Sequence, residues 1–327
     1  MLSFKMYFCG IVVDKPYKGF SIKVEPTNLK WFGEEYDNCI AVSYKVNDID
    51  LRLADNETKD RITFRYLRNF LDILNLMSGK PSKLVTHTCY IHDTKYHISM
   101  PLRNAPLHIY NFPDIFQILI PNMFHNYKSY TNRSSWKILE ESLKKYNDQR
   151  IFKNDKIKTS LRWYQKGCDE FSSFARLIAY WISFNTLYSD EHLQEPVAIE
   201  KYLRHKLKGK FASDFYLKHK SLFEDLTKAS IFLGKKNKRN ISAKLEKLMA
   251  EGNLKYEEIF IILFLIIYSV RNSLFHGGMN PDDNIAEDQV QICEYLLASA
   301  VRHIILSEFS TLNYSDYDFT VKQQANF

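Results

Sequence analysis

Short runs of aromatic and β-branched residues open the chain, punctuated by Pro, Gly, Asn and Asp. Side chains that fit a half-buried pleat, broken by turn formers, predict strands over Tyr7–Val13, Gly19–Val24, Cys39–Val46 and Ile49–Leu53. A helix is predicted from Asp60 to Met77. Leu67, Phe70, Leu71, Leu74 and Leu76 fall near one side, and Gly79-Lys80-Pro81 stops it. Lys83–Ile91 and Lys95–Met100 then pair as a hairpin around Asp93-Thr94. These elements suit either an α+β or a β-sandwich-like domain.

After about residue 130 the period changes from two to that of a helix. Ser134 or Ser135 can cap a helix running towards Gln149. Trp163–Tyr188 is strongly helical: Phe174, Leu177, Ile178, Trp181, Asn185 and Tyr188 follow i, i+3, i+4, i+7 spacing and make one stripe. Pro196 sits in the first turn of a helix reaching about Lys208. Ile241–Ala250, Tyr256–His276 and Asp288–Phe309 complete the set, with Gly277, Gly278 and Pro281 ending the second of these. The expected architecture is a two-domain α+β chain, with a β-rich domain and one helix over 1–130 and an all-α bundle over 131–327.

Composition agrees with a folded chain: 45% of the residues are hydrophobic and 25% charged. Five scattered cysteines without a CxxC suggest reduced thiols and a cytoplasmic location. Lys5 interrupts the apolar start, so no export signal is expected. The most apolar segment, Ile259–Val270, is too short to span a bilayer and reads as a buried helix, so no membrane partner is expected.

Charge changes the picture more than composition does. The net charge is +7, yet Lys201–Lys247 carries fourteen Lys/Arg against four Asp/Glu, a local +10. A basic block larger than the whole-chain charge suggests an anionic partner, and a solvated helical face is the plainer alternative. Lys235, Lys236, Lys238 and Arg239 are its densest stretch and the candidate backbone-binding residues.

Motifs narrow the chemistry. GxGxxG, P-loop, HExxH and GxSxG patterns are all missing, so no nucleotide cofactor or zincin chemistry is expected. His87, Cys89, His92 and His97 crowd the hairpin. Strand parity puts His87 and Cys89 on one face and His92 on the other, so four ligands do not converge locally and no metal site is assigned. The informative segment is Tyr268–Gly278. An apolar helix there presents Arg271, Asn272 and His276 and then stops at two glycines. Charge at the end of a buried helix costs free energy unless it meets water, a partner or a ligand. Asn272 and His276 share a face at i, i+4. Arg271 lies roughly 140° round an ideal helix from His276. Its long fork must wrap back, or the helix must unwind near Phe275, for both to meet one phosphate. A capping His beside a surface Arg is the structural alternative.

Arg271-Asn272-Ser273-Leu274-Phe275-His276 resembles the R-(N/D/H)-x3–5-H signature of HEPN (higher eukaryotes and prokaryotes nucleotide-binding) domains. The run Phe174–Tyr188 (FARLIAYWISFNTLY) resembles the first core helix of the Apea-like HEPN group. The resemblance covers about Trp163–Phe309. It departs at Asn185, where such proteins often carry an acidic residue, which puts any carboxylate role in doubt. The first 130 residues broadly resemble the β-rich front half of Apea-like defence proteins. The resemblance implies a metal-independent endoribonuclease, a toxin or antiviral defence effector that cuts single-stranded RNA. Arg271, Asn272 and His276 would form the site, and a homodimer through the C-terminal bundle would bring two Arg/His pairs to one groove. A trigger ligand or protein would act on the N-terminal domain. The other reading is a non-catalytic HEPN module that dimerises and binds RNA or a nucleotide.

Overall fold

The computed structural model describes residues 1–9, 11–13, 15–31, 34–47, 49–78, 83–96, 129–131, 133–147, 155–170, 172–188, 193–206, 210–233, 239–278 and 284–309. Met1–Lys153 fall in one compact unit and Asn154–Ser315 in another.

The first unit holds β1 (Leu2–Cys9), β2 (Ile11–Val13), β3 (Tyr17–Lys18), β4 (Ile22–Trp31), β5 (Glu34–Val46), α1 (Asn56–Ser78), β6 (Lys83–Ile91), β7 (Thr94–Tyr96), β8 (Ser129–Thr131) and α2 (Arg133–Asn147). Six strands form one antiparallel sheet in the order β3-β4-β5-β1-β6-β7. Along β1, Leu2, Phe4, Met6 and Phe8 are buried while Lys5 is exposed. That is the period-two pattern of a sheet with one covered face. α1 supplies the cover: Phe70 packs its ring against Phe8 and Tyr44. One sheet backed by a helix makes this unit α+β.

Two expectations for this unit need correcting. Ile49–Leu53 forms no strand. Asp50 accepts from the backbone N–H and the guanidinium of Arg52, and this local pairing folds the segment into a turn. Nor are all five cysteines reduced: Cys39 is disulfide-bonded. Antiparallel pairing sets Cys9 opposite Cys39 in register, a neighbourhood that thirty residues of separation hide.

The second unit holds α3 (Asp155–Asp169), α4 (Ser173–Tyr188), α5 (Glu195–Lys206), α6 (Phe211–Lys228), β9 (Phe232–Leu233), β10 (Arg239–Asn240), α7 (Ile241–Ala250), α8 (Tyr256–Phe275) and α9 (Asn284–Phe309). It is mostly helical rather than all-α, because β9 and β10 pair antiparallel. Trp163–Tyr188 is two helices, not one. α3 and α4 lie close enough for Ser183 Oγ to donate to the Ser160 carbonyl at 2.7 Å. A Cβ at Gly167 would fall 2.5 Å from the Tyr180 ring.

α6 has no counterpart among the predicted helices. It presents Phe211, Phe215, His219 and Phe223 at every fourth position, all buried. A non-helical His219 (φ −112°, ψ 17°) kinks it midway. α8 runs through the core, with Phe260 and Phe264 packed against Phe211, Phe215 and Phe184. By length and composition α8 and Ala286–Ser307 of α9 are apolar enough to cross a bilayer, but 56% and 61% of these windows are buried within the protein. They are the hydrophobic partners of the surrounding helices.

Candidate functional site

The site forms where α8 ends. His276 leaves helical geometry (φ −98°, ψ 10°) while its N–H still donates to the Asn272 carbonyl at 3.0 Å. Gly277 then takes φ +67°. Its N–H donates to Leu274, and that of Gly278 donates to the Ser273 carbonyl at 2.7 Å. These paired bonds satisfy the last carbonyls of the helix, and Gly277 carries the left-handed turn without a Cβ clash. The helix therefore ends just after Phe275.

Arg271 and His276 line one open cavity of about 360 Å³, together with Asn272, Phe275 and, from α4, Ile178, Trp181, Ile182 and Asn185. The structure thus brings the three expected residues of α8 together with Asn185. His276 is exposed and Arg271 is not, its side chain being only 17% accessible.

Arg271 is held by two hydrogen-bond partners and three rings. Its Nη2 donates to Glu195 Oε1 at 2.6 Å and its Nη1 to Asn272 Oδ1 at 2.6 Å. The guanidinium stands 5.0 Å from the Trp181 ring centroid, 5.6 Å from Tyr268 and 5.5 Å from Phe275. Aromatic faces attract a cation, and the carboxylate fixes its direction. Tyr188 completes the set: its hydroxyl donates to the same Glu195 Oε1 at 2.7 Å. Burial, and then the Glu195 bond, push the Tyr188 hydroxyl well above its ordinary range, so it keeps the proton it donates.

Glu195, Tyr188, Trp181 and Tyr268 were not among the residues singled out from the sequence as site residues. Trp181 and Tyr188 belong to the stripe of α4, which reads simply as core. Glu195 stands in the first turn of α5, beside Pro196, and nothing in its local sequence marks it as the partner of Arg271.

Of the basic block, Arg239 is exposed on β10, opposite Leu233. Lys235, Lys236 and Lys238 lie outside the described residues. In the hairpin, His92 and Asp93 take positive φ at the turn, and His92 Nε2 lies 3.2 Å from Asp50. His97 also lies outside the described residues. Burial pushes the thiols of Cys89, Cys168 and Cys293 up to about 12. They are protonated, unreactive side chains. No protein-family model, no curated protein and no solved structure matches this chain.

Proposed function

We propose that this chain is a metal-independent endoribonuclease of the HEPN type, a defence or toxin effector acting on single-stranded RNA. The observation that carries the reading is that Arg271, Asn272, His276 and Asn185 meet in one open cavity at the end of α8. In RNA the ribose 2′-OH supplies the nucleophile. An imidazole at the cavity mouth can take the 2′-OH proton, or give one to the departing 5′-oxygen. Arg271 stabilises the charge that grows on the phosphorane oxygens. Each chain carries one such His, so a homodimer through the helical unit supplies both acid and base. The products are a 2′,3′-cyclic phosphate and a 5′-OH.

A specific contact favours a second reading. The Arg271 fork is already engaged by Glu195 and Asn272, as it would be in a non-catalytic module that binds RNA or a nucleotide. One experiment separates the two. Purified protein is incubated with labelled single-stranded RNA in excess EDTA, beside DNA of the same sequence, and its mass is followed by light scattering. The enzyme reading expects RNA-only cleavage by a dimer. His276→Ala should lower the rate by about 10²–10⁴ while RNA binding survives. Equal cleavage by His276→Ala, or none by wild type, removes the enzyme reading and leaves the binding module.

A further inference from the structure

The sheet of the first unit has a second face, unlike the one that α1 and α2 cover. Residues directly opposite each other on paired strands share a face, so the strand register lays out two rows. Lys45, Ser3, Tyr90 and Lys95 cross β5, β1, β6 and β7 in one. Lys18, Lys23, Ser43, Lys5 and Thr88 cross β3, β4, β5, β1 and β6 in the other. All five lysines are exposed, and neither row holds an acid. Glu25, in the next row along β4, takes Lys23 at 2.7 Å. With about 4.8 Å between strands, the lysines form a band roughly 24 Å long. This is a broad sheet surface rather than a groove, and its cations are all lysine. They are point charges on flexible stems, without the fork that arginine brings to a single phosphate or carboxylate. Nor is the face arranged to stack bases, because Lys5 Nζ already stands 5.5 Å from the Tyr7 ring centroid.

Two apolar side chains stand at the end of the sheet where β5 finishes. Phe20, in the β3–β4 turn, is 87% exposed, and Leu53, between β5 and α1, is fully exposed. The Phe20 turn is rigid. Lys45 N–H donates to the Ser21 carbonyl at 2.8 Å. Glu140 of α2 accepts from Ser21 Oγ at 2.8 Å, from Ile22 N–H at 2.9 Å and from the Tyr17 hydroxyl at 2.8 Å. A turn fixed in this way presents its apolar tip with little left to order on binding.

We infer that this face docks on an anionic lipid surface, the lysine band lying over the headgroups and Phe20 entering the boundary with the acyl chains. Charge alone holds a protein to a bilayer weakly, and an apolar group beside a basic patch supplies the second signal. A surface contact needs no spanning helix, so α8 and α9 stay in the core.

The test is co-sedimentation of the full chain with two kinds of vesicle, phosphatidylcholine alone and equal parts of phosphatidylcholine and phosphatidylserine. Wild type should pellet only with the second, and high salt should release it, because exposed charges are then screened. Lys5→Gln, Lys23→Gln and Lys45→Gln together should weaken binding about a hundredfold, at about fivefold for each lysine near an anionic surface. Phe20→Ser should weaken it about tenfold. If the triple variant melts early by circular dichroism, Lys18→Gln with Lys95→Gln, at the two ends of the band, takes its place. Equal pelleting with both vesicles, or no pelleting of wild type, would overturn the assignment. So would lysine variants that bind as wild type, or a loss seen only when Lys235, Lys236, Lys238 and Arg239 are neutralised. Poly-glutamate stands for an acidic protein. If it binds through the same lysines, regardless of Phe20, and vesicles do not bind, the partner is a protein and the lipid assignment fails. No RNA enters the assay, so its outcome is independent of the reading of the cavity.

Discussion

Arg271 and Glu195, seventy-six positions apart, meet at 2.6 Å, and the Glu195 oxygen that takes the guanidinium also takes the Tyr188 hydroxyl. A long cationic side chain is thereby fixed at the edge of an otherwise apolar helix. Glu195→Gln keeps an acceptor and removes the charge, so it should cost about 1–3 kcal/mol in urea unfolding. Glu200→Gln removes one of the two carboxylates paired with Arg204, the other being Glu258, in a pair about half exposed on both sides. It should fall within about 0.5 kcal/mol of wild type. Equal costs for the two substitutions would mean that the Glu195 contact contributes no more than a surface pair.

The basic block should act through charge alone. Neutralising Lys235, Lys236, Lys238 and Arg239 together should weaken RNA binding and flatten its salt dependence, by roughly 0.7 in log–log slope per lost phosphate contact. Titrations at several salt concentrations check this. An unchanged slope would return the block to a solvated surface.

Gly167 of α3 lies against the Tyr180 ring of α4. A methyl there would meet the Tyr180 ring at 2.5 Å, and Tyr180 is itself buried with its hydroxyl 3.6 Å from Cys168 Sγ. Although alanine is the better helix former, Gly167→Ala should lose about 1–3 kcal/mol through overpacking. A thermal melt at or above that of wild type would contradict this packing.

His303 gives the helical unit an acid-sensitive element. Its ring lies flat on Phe211 at 3.7 Å between centroids, and burial, then Arg302, lower its pKa from 6.5 to about 3. The folded state therefore keeps the imidazole neutral where the unfolded chain binds a proton. Above about 6.5 it has no effect. As pH falls from there towards about 3, stability declines, by at most about 1.4 kcal/mol per pH unit from this one group. His303→Phe should make urea unfolding less steeply dependent on pH in that window. An identical dependence would show that other groups set the acid limit.

Local pattern carried far along this chain. Strands with alternating burial, the stop at Gly277 and the end of an apolar helix at Arg271, Asn272 and His276 all follow from spacing, because each needs only residues within a turn or two. The sequence by itself also placed those three residues at one helix end. What it did not determine was everything that required two distant segments to meet. The strand expected at Ile49–Leu53 gave way to an Asp50–Arg52 turn, and α6 hid its aromatic face among lysines and a kink at His219. Cys39 came to lie opposite Cys9 only through strand register. Around Arg271 the decisive groups, Glu195, Tyr188 and Trp181, come from α5 and α4, and their patterns alone say no more than first turn and core. Tertiary packing decided the site because the direction of a buried charge is set by the carboxylate and rings that surround it, and those are neighbours in space, not in order.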